Sequence, residues 1–334
     1  MARVRYPIAA MLVSTLVALP LHAQTAAPAT PAAATNQTAD VVATGVDRAL
    51  RMTVPVMVNG QGPFQFVIDT GADRTVISEE LATRLGLPAA GTAKLHAMGG
   101  SGTVDIVKID TVQVSTNIAK KVKAAALPQR YVGADGLLGI DSLKGQRVVM
   151  DFVSNTMRVE PASAPEQAVP DNSDVIVVTA RTKLGQLVMV DADANGQKVW
   201  VDVDTGAQNT VANTKLRQIL VKRVPKTQIR AIGMLDVLGR TTPAEYTIVD
   251  RLRIGGVAMG NAAVAFADVH PFRLFGLSKR PSMLLGVESL RSFRRVSVDF
   301  ATRKVKFLLP EESRGPLEGG EQQTAAADAT QPSS

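Results

Sequence analysis

Cysteine is absent from the 334 residues. That removes disulfide staples, thiolate nucleophiles and cysteine-based metal sites together. Histidine is nearly as scarce, with His22, His96 and His270. No His-x-x-x-His spacing exists, so a zinc hydrolase of that type is excluded, and no metal or other cofactor is expected. No Gly-x-Ser-x-Gly elbow is present. The glycines near Met98 and Gly255 lack the strand–loop–helix setting of a nucleotide site. Aromatic side chains make up 4% of the chain, and Trp200 is the lone tryptophan. It alternates with Val199 and Val201 and reads as core. With so few aromatics, the net charge of +7 does not read as a nucleic-acid surface. The basic clusters Lys120, Lys121, Lys123; Lys222, Arg223, Lys226; and Arg291, Arg294, Arg295 read as solvated faces.

Long apolar runs are also missing. The strongest, residues 8–19, has twelve residues and is too short to span a bilayer comfortably. It follows Arg3 and Arg5 and precedes the small residue Ala23, which is the pattern of a secretory signal. The expectation is a signal peptide over 1–23, cleaved near Ala23, with no stable membrane insertion afterwards and a periplasmic or secreted location. Leu21 is larger than the usual residue at its place before the cut. Residues 24–40 are mostly Ala, Thr and Pro and read as a flexible linker. Residues 161–174 (PASAPEQAVPDNSD) read as an interdomain connection, and 311–334 as an acidic disordered tail.

What remains is one pattern written twice. NGQGPFQFVIDTGADRTVIS begins at Asn59, and NGQKVWVDVDTGAQNTVAN begins at Asn195. Each opens on the Asn-Gly of a tight hairpin, continues as an alternating strand and ends at Asp-Thr-Gly-Ala. LHAMGG at Leu95 matches IRAIGM at Ile229, and IDTVQV at Ile109 matches VDRLRI at Val249. GLLGIDSL at Gly136 matches MLLGVESL at Met283, and RVVMDFVSNTMRV at Arg147 matches RVSVDFATRKVKF at Arg295. Five ordered blocks imply an internal repeat with insertions in the second copy. Strand periodicity dominates, with short helices expected over residues 79–85 and 289–293. The first lobe is placed at 41–160 and the second at 175–310.

Asp69 and Asp204 close equivalent strands just before Thr-Gly, where glycine permits a tight turn and close backbone approach. Two lobes related by an approximate dyad would bring these carboxylates together. Like charges at about 3 Å do not both ionise at neutral pH, so the pair would share a proton. One carboxylate would then serve as base toward water and the other as acid toward a carbonyl.

VIDTGADRTVIS and VDVDTGAQNTVA, with GLLGI and MLLGV, resemble the retropepsin-like aspartic peptidases in a single-chain form, over roughly residues 45–310. The resemblance implies an all-β, bilobal fold with a cleft between two barrel-like lobes, and aspartic endopeptidase activity on exported or envelope proteins. It implies Asp69 and Asp204 as catalytic residues. Thr70, Gly71, Thr205 and Gly206 would support them, the threonines by hydrogen bonds beneath the pair. Leu138-Gly139 and Leu285-Gly286 would pack around the active loops. Hairpin flaps carrying Met98, Gly99 and Gly100, and Ile232 and Gly233, would hold an extended peptide or protein substrate by strand addition. His96 lies near the first flap and reads as a surface or packing histidine, isolated from His270. With both lobes in one chain, a monomer is expected. The family's usual Arg after Leu-Leu-Gly is replaced by Ile140 and Val287, and Gln208 stands where the first lobe has Asp73. Two further readings are a noncatalytic peptide-binding module that kept the fold, and a peptidase that processes only itself.

Overall fold

Asn-Gly turns start both lobes. The computed structural model describes residues 42–43, 45–46, 51–166, 175–183, 186–189, 192–223, 228–255 and 257–310. Strand Met52–Val58 turns at Asn59-Gly60 into strand Gln61–Ile68. Both turn residues have positive φ, 50° and 75°, as a type I′ hairpin requires. Asn195-Gly196 repeats the geometry at 47° and 81°. The Asn59 Oδ1 accepts from the amides of Asp110 and Thr111, and Asn195 Oδ1 accepts from that of Arg251, so each turn is tied to a neighbouring long strand.

The first lobe is an eight-stranded sheet. Pairing of Met57 with Gln113 joins strands Met52–Val58 and Gly100–Val114 and closes it into a barrel. The second lobe is a ten-stranded sheet built from the same motifs. In each, the Leu-Leu strand lies between the strand that leads to Asp-Thr-Gly and the strand that follows it. Gly136–Leu138 runs parallel to Gln61–Ile68 and antiparallel to Val76–Ser78. Ser282–Leu285 runs parallel to Trp200–Val203 and antiparallel to Thr210–Ala212. The chain therefore folds as the all-β, bilobal architecture that the resemblance implies.

A third sheet of six strands joins the lobes. Its central pair is Gln146–Asp151 from the first lobe against Arg295–Asp299 from the second, antiparallel, with Val149 opposite Ser297. Those two residues are equivalent in the repeat, so the approximate dyad passes between them. Arg295 forms an ion pair with Asp151 across this junction at 2.9 Å. Arg147 instead pairs with the buried Glu160 of its own lobe at 2.7 Å.

Helices are short and locally specified. Glu79–Arg84 is capped by Ser78, whose Oγ accepts the Leu81 amide at 3.1 Å, and Thr214–Leu220 by Asn213, which accepts from Leu216 at 3.0 Å. The helix expected at 289–293 runs instead over Val287–Leu290, because it starts directly after Gly286, whose carbonyl accepts the Leu290 amide. Thr214–Leu220 and His270–Leu274 are additions that strand periodicity did not reveal.

One apolar core runs through both lobes and the joining sheet, from Phe66 and Ile68 through Val148 and Met150 to Val296 and Phe307. Two smaller clusters lie on the other face of the Asp-bearing strands. One contains Val67 in the first lobe, and the other takes in Trp200 in the second. Trp200 is only partly buried there, with the Arg280 guanidinium over its ring at 4.8 Å. The strand Thr156–Pro161 claims the first residue of the expected 161–174 connection, and 167–174 lies outside the described residues. So do the signal peptide at 1–23, the linker at 24–40 and the tail at 311–334.

Candidate active site

Each Asp sits where a strand stops pairing and the chain must turn. The Asp69 amide donates to Leu138 O at 3.0 Å, and that of Asp204 to Leu285 O at 3.1 Å, so both aspartates are the last paired residues of their strands. Gly71 N then donates to Asp69 Oδ1 at 2.9 Å, and Gly206 N to Asp204 Oδ1 at 3.0 Å, which fixes each carboxyl above its own loop. Beneath the loops, Thr75 Oγ1 lies 2.7 Å from Ser142 Oγ, and Thr210 Oγ1 lies 2.7 Å from Ser289 Oγ. The same hydroxyls accept from Gly139 N and Gly286 N. The Leu-Gly segments are thus locked to the loops by matching bonds in both lobes.

The threonines interlock across the dyad. Thr70 Oγ1 donates to Val203 O at 2.6 Å and accepts from Thr205 N at 3.1 Å. Thr205 Oγ1 donates to Ile68 O at 2.6 Å and accepts from Thr70 N at 3.0 Å. All four bonds are buried.

The glycines let the carboxyls meet. A Cβ on Gly71 would stand 2.6 Å from Asp204 Oδ1, and one on Gly206 would stand closer still to the Asp69 carboxyl carbon. Each glycine therefore faces the other lobe's aspartate, and alanine at either position would force the pair apart.

Asp69 and Asp204 meet at the dyad, close enough that each alters the other's proton affinity. Both are half-buried, so they are crowded by protein yet still reachable. Burial and the adjacent Asp204 charge push the Asp69 carboxyl from 3.8 to about 7, against the pull of the Arg51 charge and the Gly71 and Ala72 amides. Burial also raises Asp204, opposed by the amides of Ala207 and Gly206, by Arg51 and by the neighbouring Asp69 carboxyl. The protons belong to the pair rather than to either residue.

Arg51 carries no motif signal, yet it serves both lobes. It is 7% exposed; its guanidinium donates to Gly206 O at 2.9 Å and to Val132 O at 2.5 Å. It therefore holds the second lobe's loop from the first lobe, and its charge favours the ionised form of both aspartates.

The hairpins reach across the cleft. Met98 and Gly99 form the turn between strands Ala89–Ala97 and Gly100–Val114. Met98 O accepts from the His270 amide at 2.8 Å, and Met98 packs with the second lobe's cleft-side cluster. Ile232 and Gly233, expected in the opposite flap, lie within its strand Arg230–Leu235, paired with Ala244 and Pro243. Its tip is the turn at 236–240, because the second copy's hairpin is longer. Val237 and Leu238 from that tip pack with the first lobe's cleft-side cluster. Gly239, at φ 76°, lies so close to the Tyr131 ring that a Cβ would stand 2.5 Å from its Cζ.

Asp236 joins the two tips. It is 5% exposed; Oδ2 accepts from Gly99 N, while Oδ1 accepts from Leu238 N and Arg240 N, each at 2.9 Å. Arg240 returns a bond to Ser101 O at 2.8 Å. The histidines expected to be isolated form a pair: His96 Nδ1 lies 2.7 Å from His270 Nε2, with parallel rings 4.9 Å apart. No cluster of three metal-ligating side chains occurs among the described residues.

Two β lobes that each deliver an Asp-Thr-Gly loop to a common dyad define the aspartic protease class of fold. Residues 54–145 match the family model described as gag-polyprotein putative aspartyl protease, and residues 190–289 match the one described as aspartyl protease. The chain belongs to the retropepsin-like aspartyl proteases, with two such domains in tandem. It is 27% identical over 173 residues to DNA damage-inducible protein 1 of Kluyveromyces lactis, covering 49% of this chain and 39% of that relative. The protein of the same name from Cryptococcus neoformans var. neoformans serotype D is 29% identical over 130 residues, 36% of this chain and 28% of its own length. The chain thus spans well under half the length of these curated relatives.

Proposed function

We propose that the chain is an aspartic endopeptidase with Asp69 and Asp204 as its catalytic residues. The observation that carries this reading is the meeting of two half-buried carboxyls, one from each domain, each against the other lobe's glycine, above a buried lattice of hydroxyl hydrogen bonds. With one proton on the pair, the ionised carboxylate takes a proton from water as its oxygen attacks the scissile carbonyl carbon. The protonated partner gives its proton to the carbonyl oxygen. Collapse of the tetrahedral intermediate breaks the C–N bond, and the leaving amine takes a proton from the pair. The Thr70–Thr205 lattice supplies the fixed positions that such proton transfers require.

An extended peptide would lie between the carboxyls and the hairpins that carry Met98–Gly100 and 236–240, and pair through its backbone. The tips would separate to admit it and close again. Both lobes lie in one chain, which supports action as a monomer. The 8–19 run after Arg3 and Arg5 supports export, and exported or envelope proteins as substrates; N-terminal sequencing of the cell-derived protein, expected to begin near Gln24, checks this.

The test of the activity is cleavage of a diverse peptide mixture by the wild type and by Asp69→Asn and Asp204→Asn. The wild type should produce a defined set of cuts, and each variant should produce none while melting as a folded protein. An Asp204→Asn variant that cleaves as fast as the wild type would end the case for a shared pair.

A further inference from the structure

Asp202 is not accounted for by the proposed chemistry. It is 1% exposed, and its Oδ1 has no hydrogen-bond partner among the described residues. A buried unpartnered carboxyl oxygen is costly and calls for a reason. The strand sets its direction. Val201 and Val203 enter the central core, and side chains alternate along a strand, so Trp200, Asp202 and Asp204 share the opposite face. Trp200 on that face packs in the second lobe's cleft-side cluster, the layer that also receives Met98 from the flap. Asp202 is therefore on the cleft side, one step along the strand from Asp204.

The internal repeat supplies a control. The first-lobe equivalent of Asp202 is Val67, which is fully buried among apolar side chains in that lobe's cleft-side cluster. The two halves of the cleft thus differ in chemistry at one matched position. Burial above all, with the charges of Asp204, Asp69 and Asp73 in support, holds the Asp202 carboxyl well above the usual carboxylate range. At the mirror position of Asp73, the second lobe has Gln208, and the buried Arg51 reaches that loop through Gly206 O. At the matched strand position of Asp202 and Val67 the second lobe therefore presents a carboxyl and the first lobe an apolar side chain.

We propose that Asp202 is a specificity-determining residue that accepts a cationic substrate side chain, lysine or arginine, on the second-lobe side of the scissile bond, opposite an apolar side chain on the first-lobe side. The inference rests on the peptidase reading for the location of the substrate and adds the class of peptide that is read there. An ammonium or guanidinium group would supply the partner that Oδ1 lacks and offset the repulsion among the carboxyls. A neutral apolar side chain would leave that oxygen unsatisfied, and a site built for a hydrogen-bonding group rejects a partner that lacks one.

The experiment uses peptides that differ at one position, lysine against norleucine, placed in turn on each side of the cut. Cleavage is measured with the wild type, Asp202→Asn and Asp202→Val, the last copying Val67. Binding of the same peptides is measured with Asp69→Asn and with Asp69→Asn/Asp202→Val. Melting curves confirm that each variant is folded, and the Asn variant, nearly isosteric, is the one read if Val does not fold. The wild type should favour lysine at least tenfold in kcat/KM on one side only, and both Asp202 variants should lose that preference. Binding should show the same preference in Asp69→Asn and lose it in the double variant. Norleucine favoured on both sides, or a lysine preference unchanged by either Asp202 substitution, would overturn the proposal. If the wild type cleaves nothing while the Asp202-dependent lysine preference persists in binding, the peptidase reading fails and the assignment of Asp202 stands. If neither cleavage nor binding discriminates, the assignment of Asp202 falls.

Discussion

Replacing Thr70 with valine tests whether the lattice under the carboxyls is a main source of rigidity. The two side chains have almost the same shape, so the substitution leaves no large cavity. It removes the donor to Val203 O at 2.6 Å and the acceptor for the Thr205 amide at 3.1 Å, both buried. Leaving a buried polar group without its partner costs about 1–3 kcal/mol, so two such groups cost about 2–6 kcal/mol. Against a typical total of about 5–15 kcal/mol this is a large fraction. At about 2–4 °C per kcal/mol for a protein of this size, the melting temperature should fall by about 4–24 °C. Thr70→Ser keeps both bonds and loses one methyl group, so it should stay within about 1–2 kcal/mol of the wild type. Thr205→Val should mirror Thr70→Val, because its bonds to Ile68 O and Thr70 N have matching lengths. Differential scanning calorimetry of the four proteins, with exposed Lys144→Ala as a control, gives the comparison. A Thr70→Val protein that melts with the control, or a serine variant as unstable as the valine one, would refute the reasoning.

The pH profile of kcat/KM should fall as pH rises through about 7, where the pair loses its shared proton, and fall again on the acid side as the pair takes up a second; a flat profile from pH 5 to 9 would contradict it. The raised Asp69 value also has a stability consequence. Its contribution is fully present below 3.8 and is lost as pH rises through about 7, so Asp69→Asn should gain melting temperature over the wild type at pH 8 and gain least at pH 4. Asp236→Ala removes the acceptor for three amides, so hydrogen exchange should quicken at both 97–101 and 236–240; quickening at one tip alone would show that the hairpins do not depend on each other. Burial, the His96 ring and the charges of Arg273 and Lys94 all lower His270, so it charges only below 6.5. Exchange at Met98 and Gly99 should therefore rise in acid, when His270, whose amide holds Met98 O, gains a charge that Arg273 and Lys94 oppose, and His270→Asn should abolish that rise.

The pair at Asp69 and Asp204 was legible because the repeat states it twice and the strands leading to it alternate. The same five blocks imply two like lobes, and the resemblance to the retropepsin-like peptidases supplies their bilobal β fold. Other parts carried no such signal. Arg51 precedes its strand without any pattern, and only the three-dimensional fold places its guanidinium on Gly206. In VDVD, Asp202 looks like an ordinary polar residue on the solvent side of an alternating strand, whereas both faces of that strand are covered. Matching IRAIGM to LHAMGG placed the second flap's turn at Ile232-Gly233. The insertion that lengthens the second copy moved it to 236–240, where Asp236 and Gly239 supply the turn chemistry. His96 and His270 are 174 residues apart in sequence and meet only when the hairpin crosses the cleft.

The joining sheet has a consequence for any attempt to divide the chain. Cutting between residues 166 and 175 and separating the halves would strip the partner from strand Gln146–Asp151 and from strand Arg295–Asp299. Each half would then display a bare row of amides and carbonyls, the kind of edge that recruits another strand. Each of these edges is complementary to itself. Arg147 and Asp151 stand two residues either side of Val149, and Arg295 and Asp299 stand two either side of Ser297, so a second copy of the same half pairs in the native register with arginine opposite aspartate. A liberated first half would therefore form a twofold-symmetric homodimer, and that dimer would place Val67, not Asp202, on both walls of its cleft.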